Sequence, residues 1–181
     1  FGITFDKYYY ESEFYKKGKA IIEKGLKDGI FEKTDDGAIM APLEKTHKIP
    51  DKVLLRADGS SIYITQDIYL AKLKFKDYPK LDMSVYVTAH EQDVHFKQLF
   101  AVLELLKFSG AKKCRHLSYG MVNLPHGRMK SREGTVVDAD DLIENMEKLA
   151  SREVKKRHGD LSKEEVSQRA HEIGLGALKF H

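Results

Sequence analysis

Three cations, Arg128, Lys130 and Arg132, stand within five residues on a stretch flanked by Gly127 and Gly134. Cations gathered on a glycine-bounded loop can fold over a triphosphate and stabilise the charge that develops as pyrophosphate leaves. The same cluster also suits a solvated turn, because most exposed charges carry little energy. Spacing alone leaves both readings open. A second group, Tyr63 and Asp67 in the run SIYITQD, falls at an expected strand-to-helix transition. A carboxylate there pairs with a guanidinium, whose planar donors match two oxygens, and Tyr63 adds a hydroxyl. Alternatively, Asp67 complements a helix N-terminus and Tyr63 is a half-buried strand residue. A third group, His90, Gln92, Asp93 and His95 in VTAHEQDVH, lies where an apolar strand gives way to a helix. Histidines at a helix start serve as caps or solvated residues as readily as ligands. No cysteine pair and no H-E-x-x-H spacing accompanies them, so a metal held by the protein itself is not expected.

These groups depend on the elements around them. Phe14, Ile21, Ile22 and Leu26 recur at helical spacing among lysines and predict one amphipathic helix from Glu11 to Asp28, capped by Gly29. Two antiparallel pairs are expected next: GIFEK with AIMAPL around Asp36-Gly37, and VLLRA with SIYIT around Asp58-Gly59. From Gln66 the pattern alternates: helix (QDIYLAKLKFKDY), strand (MSVYVTA), helix (QDVHFKQLFAVLELLKF), strand (HLSYGMV). Such alternation marks βαβ units and a parallel sheet. Both strands are mostly apolar, as expected when a strand is buried on both faces. Ligands in these sheets bind at the carboxyl ends of strands, here near Ala89 to Gln92 and near Met121 to Asn123. A loop from Leu124 to Gly134 should lead into a short strand, Thr135-Val136-Val137. Asp138 can cap a helix ending near Gly159, and Ser162 with Glu165 forms a capping box for a final helix.

A length of 181 residues, 41% hydrophobic and 33% charged, fits one globular domain or two small ones and excludes disorder. The net charge of +3 is spread among interspersed acids and bases and demands no polyanionic partner. The lone cysteine, Cys114, excludes a disulfide framework and fits a reducing cytoplasm. No apolar run approaches the roughly 20 residues a bilayer requires, so no membrane partner is expected. The chain lacks an initiator methionine and a signal-peptide pattern, and GLGALKFH stops inside an apolar helical pattern. It therefore reads as a fragment.

With YGMVNLPH before it and DADDL after it, GRMKSREGTVV resembles the KMSKS signature of class I aminoacyl-tRNA synthetases in the degenerate form of the arginyl family. Arg128 stands at the first lysine, Met129 at the methionine, Lys130 at the first serine, Ser131 at the second lysine and Arg132 at the last serine. Tyr63, Thr65 and Asp67 are similar to that family's Y-x-T-x-D element. FDKYYYESEFY resembles the approach to its inserted hairpin region, and GLGALKF the helix leading to its anticodon-binding domain. Nearly the whole chain is covered.

The resemblance implies an α/β fold: the second half of a Rossmann-type nucleotide-binding domain with a small antiparallel hairpin insertion and a C-terminal helical segment. It divides the chain into an insertion region (1–60), the half-domain with its signature loop at 127–134 (61–138), and a helical segment (139–181). It also implies arginine activation by ATP, with Mg2+ carried on the nucleotide, and transfer to tRNA(Arg) by a monomeric parent. Tyr63 and Asp67 would hold the arginine side chain, and Gln92 its amino group. His95 would lie near the nucleotide, the backbone of Gly120, Met121 and Val122 against adenine, and residues 128–132 over the phosphates. No H-x-G-H element occurs in the chain, so by itself it is expected to have negligible activity; loss of a single charge-stabilising donor already lowers turnover about 10²- to 10³-fold. The second reading is an inactive synthetase-like module that binds arginine or RNA.

Overall fold

A computed structural model describes residues 1–14, 16–120, 123–124, 127–128 and 137–180. They fall into two units, Phe5–Met121 and Phe1–Thr4 with Val122–His181.

The first unit opens on an extended segment tied down by polar contacts. Lys7 Nζ (2.6 Å) and Tyr9 OH (3.0 Å) both donate to Oδ2 of Asp77. The expected single helix over Glu11–Asp28 is two helices, a one-turn α1 (Glu11–Phe14) and α2 (Gly18–Lys27). Gly18 explains the new start: a Cβ there would lie 2.1 Å from the Thr65 carbonyl oxygen, so α2 begins at a close crossing with the helix containing Thr65. Gly29 ends α2 as expected, with φ 71° and the Ile30 N–H donating to the Gly25 carbonyl at 2.9 Å.

A three-stranded antiparallel sheet follows, β1 (Glu32–Lys33), β2 (Ile39–Ala41) and β3 (Lys52–Leu55), in that spatial order. Its first turn is the expected one. Gly37 takes φ 93°, and the Thr34 N–H donates to the Ala38 carbonyl at 2.9 Å. A short helix, α3 (Leu43–His47), links β2 to β3 and has no counterpart in the sequence reading. The second expected pair does not form. SIYIT gives one bridge, Leu55 to Ser61, before α4 (Tyr63–Asp77) begins. The β-branched run misled; Ile64, Ile68 and Ala71 are buried at helical spacing, so their fit is to a helix.

Past α4, β4 (Ser84–Ala89), a 3-10 turn (His90–Gln92), α5 (Asp93–Leu105) and β5 (Cys114–Tyr119) form the expected parallel βαβ unit. Register runs from Ser84 opposite Cys114 to Ala89 opposite Tyr119. The core joins Ile64 and Ile68 of α4, Leu99, Val102 and Leu103 of α5, and Leu54 and Leu55 of β3. Burial on both faces, however, does not hold within this unit. Side chains alternate across a strand, and Val85 (46%), Val87 (59%) and Leu117 (59%) are exposed on the face away from the buried Ser84 and Cys114. On the covered side, Lys74 of α4 places its Nζ 3.6 Å from the Tyr86 ring centre. Burial lowers the Lys74 pKa to about 8 and raises those of the Tyr86 hydroxyl and Cys114 thiol.

In the second unit, β6 (Asn123–Leu124) pairs antiparallel with β7 (Gly127–Arg128), where the sequence suggested a loop from Leu124 onward. Two helices follow, α6 (Ala139–Arg157) and α7 (Lys163–Phe180). Asp138 caps α6 by accepting the Asp140 N–H at 3.0 Å. The Ser162–Glu165 box is present, each residue's backbone N–H meeting the other's side chain at 2.9 and 3.2 Å. Ala150, Val154, Val166 and Ala170 are buried, and Gly174 admits the α6 backbone closely. The expected strand at 135–137 lies largely outside the described residues; Val137 itself is not in a strand. Among the described residues, no helix is long and apolar enough to cross a membrane.

Candidate functional site

The site is built where α4 starts and β4 ends. Ile62, the residue before α4, is extended (φ −123°, ψ 172°), and its N–H donates to Thr65 Oγ1 at 3.3 Å. That hydroxyl in turn donates to the Leu54 carbonyl, and Thr65 is wholly buried. Thr65 thus fastens the start of α4 to β3. Tyr63 is the first helical residue and 77% exposed, which excludes the half-buried strand alternative. Asp67 follows one turn later, and residues four apart share a helix face.

On the other side, Ala89 ends β4, Gln92 is the exposed residue before α5, and His95 lies in the first turn of that helix. His95 Nε2 meets Asp67 Oδ2 at 2.7 Å, with the two side chains 18% and 30% exposed. Two of the sequence-predicted residues are therefore brought into direct contact. Tyr63 and Gln92 stand on the two elements that carry them. Gly120 is exposed immediately after β5. Met121, Val122, Met129, Lys130, Ser131 and Arg132 lie outside the described residues; Arg128 is described only as part of β7.

A second polar group backs the first. Thr88 Oγ1 lies 2.8 Å from His116 Nε2, and Asp93 Oδ1 lies 3.4 Å from His116 Nδ1. The His116 ring stacks on Phe96 with 4.4 Å between centres, and Phe96 meets His95 edge-on at 5.2 Å. Thr88 and His116 were not singled out from sequence. Neither stands out by type or spacing, since Ser84 and Ser118 are also polar on the same strands. His90, Asp93 and His95 do not converge: Asp93 turns to His116 and His95 to Asp67. Among the described residues no three His, Cys, Asp or Glu side chains gather closely enough to hold a metal ion.

A carboxylate anchored on one oxygen, at the carboxyl end of a parallel strand, is suited to receive a cationic planar group on its other side. The chain belongs to the catalytic-domain family of class I tRNA synthetases: the family described as tRNA synthetases class I (R), catalytic domain, matches residues 2–181. Its similarity is to the arginine enzymes of that class. The arginine–tRNA ligase of Bacteroides thetaiotaomicron is 50% identical over 182 residues, covering 99% of this chain and 30% of the relative. That of Treponema denticola is 49% identical over 179 residues with the same coverage. The chain thus spans about 30% of the length of these relatives. Of solved structures, the arginyl-tRNA synthetase of Plasmodium falciparum superposes with a TM-score of 0.72 at 21% identity, over 96% of this chain and 28% of that one. The Thermus thermophilus enzyme gives 0.69 at 19%, over 94% and 33%. At these identities the superpositions speak to the fold alone.

Proposed function

We propose that the intact gene product carrying this chain is an arginine–tRNA ligase, and that the chain supplies the arginine-selecting part of its catalytic domain. The carrying observation is the Asp67 carboxylate, bonded to His95 and one helical turn from an exposed Tyr63, beside the end of a parallel strand. An arginine guanidinium would lie against Asp67 and Tyr63, with Gln92 toward its amino group. The parallel βαβ unit is then the second half of a Rossmann-type nucleotide domain. Adenine would lie along the backbone of Gly120, Met121 and Val122, with His95 on the nucleotide side.

In this reading ATP is a substrate and brings its own Mg2+. The arginine carboxylate attacks the α-phosphorus, pyrophosphate leaves, and the arginyl group passes to the terminal adenosine of tRNA(Arg). Residues 128–132 are assigned to the phosphates by sequence resemblance. The protein's contribution is positioning and charge stabilisation, as for phosphoryl transfer generally. Cytoplasmic translation is the setting that fits, with the enzyme acting as a monomer.

Replacing Asp67 by Ala tests the assignment. In arginine-dependent pyrophosphate exchange by the intact gene product, with tRNA present, kcat/KM for arginine should fall at least about a hundredfold, the scale of a lost charged partner. Unchanged arginine kinetics would remove the guanidinium assignment.

A further inference from the structure

We infer that His95 is a positioning residue for arginine selection, acting through Asp67. The inference rests on the proposal that Asp67 receives the guanidinium, and adds to it how that carboxylate is aimed.

A guanidinium recognises a carboxylate best as a fork, with two parallel N–H donors on two oxygens, and therefore requires the carboxylate plane to be fixed. Asp67 sits in a helix and is part exposed, so its side chain would otherwise have to be ordered when substrate arrives. His95 removes that freedom. Its Nε2 holds Oδ2 at 2.7 Å, while among the described residues no hydrogen bond occupies Oδ1. Because a carboxylate oxygen has two lone-pair directions, Oδ2 retains one and Oδ1 both. The carboxylate is thus held from one side and left open on the other.

The type of partner fits this role, because the imidazole reaches one carboxylate oxygen with one ring nitrogen. A lysine or arginine in that place would neutralise Asp67 and compete with the substrate.

The ring is itself braced. His95 lies edge-on to Phe96, which is buried and stacked on His116. His116 is held by Thr88 of β4 at 2.8 Å and approached by Asp93 of α5 at 3.4 Å. Thr88 thus joins β4 to β5 through His116, and Asp93 at the start of α5 stands near that histidine without a hydrogen bond from its buried Oδ1. His95 therefore packs, through Phe96, against a side chain of β5.

The test is calorimetric titration of arginine, and separately of ATP, into the intact gene product and its variants Asp67→Asn, His95→Ala, His95→Gln and the double variant H95A/D67N. Glutamine can present an N–H close to the Nε2 position. We expect His95→Ala to weaken arginine roughly tenfold, the size of a lost hydrogen bond to a charged group. His95→Gln should recover most of the loss, and H95A/D67N should bind arginine no more weakly than Asp67→Asn alone, since His95 acts through that carboxylate. Unchanged arginine affinity in His95→Ala, or losses that multiply in the double variant, overturns the inference while leaving the role of Asp67 intact. Loss of ATP affinity with arginine affinity retained also overturns it. Unchanged arginine affinity in Asp67→Asn instead removes the reading on which it rests.

Discussion

Replacing Gly18 with alanine puts the packing that places the site under direct load. A Cβ at this position would lie 2.1 Å from the Thr65 carbonyl oxygen, 2.8 Å from its carbon and 3.0 Å from its Cγ2. An unstrained carbon–oxygen contact needs about 1 Å more than the shortest of these, against backbone in a close-packed interior that yields little. Overpacking of this kind costs about 1–3 kcal/mol, and the gain in helix propensity returns at most about 1 kcal/mol. The expected net loss is about 2 kcal/mol. With a urea slope of about 1–3 kcal/mol per molar, the midpoint should fall by roughly 1 M. Circular dichroism through a urea series measures it. Gly176→Ala is the matched control: it makes the same chemical change inside α7, where nothing stands within 4 Å, and should stabilise by about 0.5–1 kcal/mol. Because Thr65 sits in the turn between Tyr63 and Asp67, Gly18→Ala should also weaken arginine binding. If Gly18→Ala is as stable as wild type, α2 and α4 do not cross as closely as described, and the account of how α4 is placed fails.

Lys74→Met should raise stability near neutral pH by about 1–3 kcal/mol, because burial holds the lysine pKa at about 8 against an unfolded value of 10.5. The unfolded chain binds more protons between those values, so this group makes wild-type stability rise with pH, by about 1 kcal/mol from pH 7 to 9. Urea midpoints across that range should lose the rise in the variant. Above it, Cys114 and Tyr86 act the other way, since their raised folded pKa values give stability that is lost as pH climbs. Thr65→Val keeps shape but removes the hydroxyl joining the Ile62 N–H to the Leu54 carbonyl. It should cost about 1–3 kcal/mol in denaturant unfolding.

The βαβ unit was legible because short, mostly apolar runs alternate with stretches of helical spacing, a signal carried within each segment. The caps at Gly29, Asp138 and Ser162 were legible for the same reason, since each acts on its own neighbours. The start of α4 was not. Ser61 to Thr65 includes the β-branched Ile62, Ile64 and Thr65 and follows a turn, and only the buried hydrogen bond from Thr65 to Leu54 shows why those residues turn helical. Apolar strands announced burial without saying on which face, so the exposure of Val85, Val87 and Leu117 could not be read in advance. At the site, Tyr63, Asp67, Gln92 and His95 could each be marked as candidates. That Asp67 and His95 touch could not, because they are 28 residues apart in the chain and no local spacing encodes it. Thr88 and His116 escaped notice for the same reason.

The uneven covering of the β4–β5 pair also has a consequence for how substitutions should act on folding. Joining Ser84 to Cys114 closes a loop whose middle is α5, and the face that α5 and α4 cover carries the buried residues that reward that closure. The exposed face contributes nothing to it within this unit. Substitutions at Leu99 or Val102 should therefore act on the folding rate, whereas changes at Val85, Val87 or Leu117 should leave it nearly unchanged.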